Sequence, residues 1–180
     1  MSSASTMSFS MSQACIPALV MGLDALSGVL DKAAAHAAAK KIDPAVLLQW
    51  RLAPDMFSLA RQVQTATDLA KNGASRLAGV EPPRYDDKET TIPELKARLA
   101  KTVAHIKTLD PKAIDAAADR AINFPLGPVN KGEMKGGDYL NHFVLPNVYF
   151  HLTAAYAILR NCGVVLDKQD FLGAIPMKMT

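Results

Sequence analysis

Residues 12–40, SQACIPALVMGLDALSGVLDKAAAHAAAK, decide the fold class. Ile16, Leu19, Val20, Leu23, Leu26, Leu30, Ala33, Ala34 and Ala37 recur in steps of three and four, which on a 3.6-residue repeat makes one continuous apolar stripe. Pro17 falls in the first turns, where a missing N–H costs least. The spacing predicts a helix from about Ser12 to Lys40. The whole chain shares this bias: 29 of its 180 residues are Ala, against six Phe, four Tyr and one Trp. Ala is the best helix former, and its excess argues against an all-β fold.

Outward from this helix the same reading repeats. Asp43-Pro44 has the form of an N-cap followed by proline at the first helical position, opening a short helix to about Gln49. A second long helix is expected from near Pro54 to about Leu77, on the stripe Leu59, Ala60, Val63, Ala66, Leu69, Ala70, Ala74 and Leu77, with Gly79 as its C′ residue. Pro82 to Thr90 is polar and breaker-rich, hence a loop. Thr91-Ile92-Pro93-Glu94 has the capping-box form, and Leu95, Leu99, Val103 and Ile106 continue a third long helix until Asp110-Pro111. In Ala121 to Gly137, Ile122, Phe124 and Leu126 alternate beside Pro125, Gly127 and Pro128, which reads as an irregular crossover with room for a short hairpin. Asp138 is placed as the cap of the last long helix, which runs to about Asn161. The fold class expected is all-α, a four-helix bundle with a long irregular crossover before the last helix. Residues 1–11 are expected as a flexible N-terminal segment, 12–173 as a single domain and 174–180 as a tail.

Composition bounds the partners. Lys plus Arg number 20 and Asp plus Glu 17, nearly balanced, with no basic cluster, so neither nucleic acid nor an anionic membrane surface is expected. The polar, Ser/Met-rich start lacks a basic n-region, and the apolar run after it is broken by Pro17, Gly22 and Asp24, so neither signal peptide nor membrane span is expected. The cytoplasm is the expected compartment. Cys15 and Cys162 lie near opposite ends, outside any C-x-x-C pair, and read as thiols at helical positions rather than a disulfide framework.

The strongest chemical lead is on the last helix. Val144, Asn147, Val148, His151, Ala155, Ile158 and Cys162 follow one helical stripe, so Asn147 and His151, four apart, project the same way and inward. Buried amide and imidazole groups need hydrogen-bond partners. The pair therefore either fixes helix register or lines a ligand or catalytic site. Pro146 should open the helix locally and free a carbonyl near His142. His142 itself belongs at the pocket's edge or on the surface. His36 and His105 read as structural. Gln62 and Gln64 flank Val63, and at least one should border the core. Tyr149, and Trp50 as an aromatic lid or a plain packing residue, complete the candidate lining. H-E-x-x-H, G-x-S-x-G, P-loop and dinucleotide fingerprints are absent, and no cofactor is expected.

Leu52-Ala53-Pro54-Asp55-Met56-Phe57-Ser58-Leu59 with Gln62-Val63-Gln64, Asp68 and Ala70-Lys71 resembles the second-helix signature of the DUF1993 family. Gly137-Asp138-Tyr139-Leu140, Leu145 to His151, Ala155-Tyr156, Ile158-Leu159-Arg160 and Asp170-Phe171-Leu172-Gly173 are similar to its later motifs. The resemblance runs from about Met7 to Gly173. It implies a DinB/YfiT-like four-helix bundle, often a homodimer, with an internal small-molecule pocket. In metal-binding relatives of that superfamily, three histidines hold a divalent ion, one from the second helix and two spaced H-x-x-x-H on the last. Aligned on Leu159-Arg160, those positions hold His151, Asn147 and Gln64, with Gln62 as the alternative to Gln64. Amides are weak neutral ligands for zinc or nickel, so a divalent metal is not expected, and His151, Asn147 and Gln64 are the residues on which one would fall. The resemblance thus implies a pocket in which His151, Asn147 and Gln64 act as hydrogen-bonding or acid–base groups, for proton-transfer, isomerase or transferase-type chemistry. The alternatives are a non-catalytic binding or dimerisation module and, third, a divalent-metal-dependent transferase.

Overall fold

The structure, a computed structural model, describes residues 9–127 and 129–176. Most of the expected segment 1–11 and residues 177–180 of the expected tail lie outside the described residues.

Helix α1 (Met11–Lys40) carries the apolar stripe and starts on a capping box, with the Ser10 hydroxyl accepting from the Gln13 N–H and the Gln13 side chain accepting from the Ser10 N–H. Cys15, Leu19, Leu23, Leu26, Leu30, Ala33 and Ala37 are buried along it. By length and composition α1 could cross a membrane, but its buried stripe packs on other helices of this chain. Helix α2 (Pro44–Gln49) is capped by Asp43, as its Asp-Pro start predicts.

Helix α3 (Leu59–Ala78) starts five residues later than Pro54 suggests. Met56 N–H closes a turn on Ala53 C=O, and Leu59 N–H reaches back to Trp50 C=O. The backbone groups that a helix from Pro54 would use are thereby spent on a loop, and Pro54 and Asp55 stay exposed. Gly79 ends α3 in the left-handed conformation at φ 73°. Helix α4 (Ile92–Lys107) has the Thr91/Glu94 capping box read from the sequence. Asp110-Pro111 both stops α4 and opens the short α5 (Pro111–Asp115).

The crossover is an antiparallel hairpin of β1 (Ala121–Leu126) and β2 (Asn130–Lys135), with Ile122 opposite Met134 and Phe124 opposite Gly132. The room left for a short hairpin is thus taken up, and the all-α expectation is corrected: the described residues are mostly helical with a two-stranded sheet. The alternation of Ile122 and Phe124 is the cause, since both are buried on one face. A Cβ at Gly132 would lie 2.7 Å from Phe124 Cζ, so the tip of the ring occupies the space a side chain there would need.

Asp138 is not a cap. The last helical stretch starts with α6 (Gly136–Asp138), continues as a π-helical segment (Tyr139–Val144), and becomes α7 (Leu145–Asn161) with Pro146 in its first turn. The earlier start is tied to the segment before β1. Arg120 C=O and Ala118 C=O accept from the Gly136 and Gly137 N–H groups at 2.9 Å, and a Cβ at Gly136 would come 2.0 Å from Ala117 C=O. A final short helix, α8 (Lys168–Leu172), is capped by Asp167 and packs on α1.

The four long helices share one core. Helix α3 lies along α7, α4 packs on α1 and α3, and α7 also meets α1. Gly22 and Gly73 mark close approaches, where an added Cβ would lie 2.7 Å from Leu152 Cδ1 and 2.6 Å from Val144 Cγ1. Both thiols are free: Cys15 is sealed in the core, where burial pushes its pKa up to about 12, and Cys162 is half-buried.

Candidate functional site

The α3–α7 packing brings Gln62 to His151. His151 is buried, with Nδ1 2.6 Å from Gln62 Oε1. Gln62 Nε2 in turn donates to Phe57 C=O at 3.3 Å. An amide nitrogen that faces a carbonyl fixes which end of Gln62 meets the ring, so Oε1 must accept from an Nδ1–H. The neutral ring is therefore the Nδ1–H tautomer, and Nε2 carries the lone pair.

Two aromatic rings frame the imidazole. Phe57 lies nearly parallel to it, with centroids 6.2 Å apart and planes at 15°, and Phe150 meets it edge-on at 5.2 Å. Both phenylalanines keep about half of their surface in solvent. Among the described residues Nε2 has no hydrogen-bond partner, and it is not one of the fully sealed, unpartnered polar atoms. Burial, and then the charge of Arg61, hold the His151 pKa below the usual imidazole value. Arg61 packs over Phe57 at 5.8 Å and pairs with Asp87 at 2.5 Å. The arrangement is an almost fully buried imidazole, oriented by Gln62 and flanked by two half-exposed rings, with Nε2 as its unpaired acceptor among the described residues.

The other predicted site residues separate. Asn147 is half-buried, and its Nδ2 donates to Phe143 C=O at 2.7 Å, one turn back on its own helix, rather than to His151. Gln64 is buried but donates to Glu89 at 3.0 Å, away from the imidazole, so Gln62 and not Gln64 is the α3 partner of His151. His142 is exposed, with Nε2 3.9 Å from Asp138, and belongs to the surface rather than to a pocket lining. Tyr149 is exposed. Trp50 is half-exposed and ties the α2–α3 connection to the end of α7 through Asn161, with Nε1 3.0 Å from Oδ1. Open clefts of about 470 Å³ and 710 Å³ lie elsewhere on the surface, the first between segment 84–89 and α4 and the second between α1 and α8.

Sequence reading missed Phe57 and Phe150 as the rings beside His151, and Arg61 as the cation over Phe57. Phe150 follows from its place beside His151, but Phe57 stands in a non-helical loop where periodicity gives no direction. It also missed Arg98, whose position amid Leu95, Leu99 and Val103 on an apolar stripe was the available signal. Arg98 is buried, and its guanidinium meets Asp68 and Asp87 at 2.8 Å and Glu89 at 3.1 Å, with Nε on Thr67 Oγ1 at 2.6 Å.

The donor set does not fit a three-ligand metal site. One ring nitrogen of His151 is committed to Gln62, and the Asn147 and Gln64 amides serve other partners. Among the described residues no three His, Cys, Asp or Glu side chains come together in metal-binding reach.

Comparison with known proteins agrees with this picture of the fold. The family model "Domain of unknown function (DUF1993)" matches residues 11–172. A crystal structure of a DinB family member protein from Shewanella denitrificans is 38% identical, with a TM-score of 0.86 over 94% of this chain and 95% of that one. No curated protein matches the chain.

Proposed function

The chain belongs to the DUF1993 family, and from that premise we propose that it is a DinB-like four-helix bundle whose His151 site binds a small molecule and exchanges a proton with it. One observation carries the reading: Gln62, fixed by Phe57 C=O, holds the His151 ring with its Nε2 lone pair unpaired among the described residues. A ring so held is oriented and kept neutral before any ligand arrives, the state a proton acceptor needs. Accepting a proton at Nε2 makes an imidazolium that burial and Arg61 both disfavour. The proton is therefore readily returned, to the same or another atom of the ligand, which suits an isomerisation. Phe57 and Phe150 favour a flat, partly apolar ligand.

The exposed faces of the same two phenylalanines support a second reading, in which they form a contact surface without chemistry, including one between two copies of the chain. A compound-library thermal-shift screen on wild type and His151→Gln separates the two. Compounds that raise the wild-type melting temperature but not that of the variant support the ligand site. A library that stabilises neither protein, with a dimer that dissociates on Phe150→Ser, supports the second reading.

No metal takes part in this proposal. Metal analysis by mass spectrometry after chelator-free purification is expected to find far less than one zinc or nickel per chain. Near one ion per chain, lost on His151→Ala, would restore the metal-dependent alternative.

A further inference from the structure

Away from His151, the strap between α3 and α4 folds back over both helices and is clamped there by Arg98. Strap and α4 together line the open cleft of about 470 Å³, within the size range of small-ligand sites. Two of its carboxylates have cations as partners, and the third, Glu94, has neutral donors only. Glu89 accepts from Arg98 and Gln64, Asp86 pairs with Lys88 at 3.1 Å, and Glu94 accepts from the Thr90 and Thr91 N–H groups at the start of α4. Two cations in the lining have no such partner. Among the described residues, Arg84 and Lys101 lie within ion-pair distance of no carboxylate. Lys101 is instead held by a neutral ring, its Nζ 4.5 Å from the Tyr85 centroid, and Lys71 and Arg98 approach the same ring at 4.7 and 4.8 Å. Attraction to a ring positions an ammonium without cancelling its charge.

We propose that this cleft binds a phosphate dianion, free or as the monoester group of a small molecule, between Arg84 and Lys101. Arg84 and Lys101 outnumber Glu94, whose bonds to neutral N–H groups leave its charge in place, so the lining keeps a net positive charge for the anion. A guanidinium supplies paired N–H donors to phosphate oxygens, and Tyr85 holds the ammonium in place. The proposal does not depend on the reading of His151.

The test is a titration of the ¹⁵N-labelled full chain with inorganic phosphate at pH 7.5 and constant ionic strength, with acetate and chloride as control anions and glycerol 3-phosphate as the monoester. Saturable shifts at Tyr85, Ala97 and Lys101 are expected with phosphate and with the monoester, and not with the controls. Arg84→Gln and Lys101→Gln, both at exposed positions, should each weaken binding about tenfold or more with unchanged melting temperatures. Tyr85→Leu should weaken it with both cations intact. Shifts that fail to saturate, that acetate or chloride reproduce, or that persist in the Arg84→Gln/Lys101→Gln double variant would overturn the assignment.

Discussion

Burial and the Arg61 charge press the His151 ring toward its neutral form, and burial, then the charge of Lys71, acts likewise on His105, whose Nε2 lies 2.7 Å from Ser75 Oγ. A histidine with a lowered folded-state pKa is protonated first in the unfolded chain. Just below the ordinary imidazole value, about 6.5, the unfolded state therefore binds more protons, and stability falls as pH falls. Thermal melts between pH 8 and pH 5.5 should show this decline, and His151→Gln should reduce it. A flat profile would show that the rings titrate alike in both states. Gln62 offers a finer check. Gln62→Ala leaves the buried Nδ1–H without its acceptor and should cost about 1–3 kcal/mol. Gln62→Glu instead sets a carboxylate against that N–H, which favours the imidazolium and should raise the His151 pKa in an NMR titration. His151 was legible at this scale because its direction follows from a helical stripe. Its partner was not, since Gln62 and Gln64 both border Val63 and only the α3–α7 packing chooses between them. Asn147 shares the i, i+4 spacing, but its short amide is satisfied by a carbonyl of its own helix, a competition that spacing does not reveal.

Among the elements, those with stripes and caps were readable to within a residue or two: α1 by its nine-residue stripe, and α4 by Thr91 and Glu94. Signals that serve two purposes misled. Pro54-Asp55 is as good a turn as a helix start, and the Trp50 to Leu59 hydrogen bond decides for the turn. The π-helical segment has no periodicity of its own to read, although Pro146 marks where the ladder is disturbed. Its placement is fixed by neighbours instead, and two glycines measure how tightly. Gly73→Ala would drive a methyl into Val144, whose branched side chain sits at 2.6, 2.7 and 3.2 Å, and should cost about 1–3 kcal/mol as overpacking. Val144→Ala in the same chain should recover part of that loss. At Gly136 the methyl meets the Ala117 carbonyl at 2.0 Å, where no side chain can yield, so Gly136→Ala should cost more and should not be rescued by Val144→Ala. Chemical denaturation of the four variants checks the order. Equal costs would mean that the start of the last helix moves freely.

Across the whole molecule, the charges were nearly balanced in number, and that number hid their arrangement. Arg98 unites carboxylates from α3 and from the strap at sequence separations of 30 residues for Asp68, 11 for Asp87 and nine for Glu89. No local pattern joins such positions, so the cluster emerges only when α3, α4 and the strap meet. Its hydrogen bonds and opposed charges also outweigh a local strain, since Asp87 adopts φ 53° to reach both Arg61 and Arg98. Those two cations lower the Asp87 pKa against the effect of its burial. The sign follows: this contribution is complete above the ordinary carboxylate range and is lost as pH falls through the lowered value, a second acid limb below that of the histidines. Removing the cation at neutral pH should have a larger effect than protonating one anion. Arg98→Met keeps the bulk of the side chain but leaves Glu89 without a cation among the described residues, while Asp68 and Asp87 keep Lys71 and Arg61. Since these carboxylates are part-exposed, the loss should fall below the about 3–5 kcal/mol of breaking a fully buried pair. The loss should appear first where the clamp acted. Limited proteolysis at low protease concentration should cut Arg98→Met within residues 80–90 while α1 and α7 stay intact, and should leave the wild-type strap uncut. A variant that melts as the wild type does, or is cut elsewhere first, would show that the strap is held by its own packing and not by Arg98.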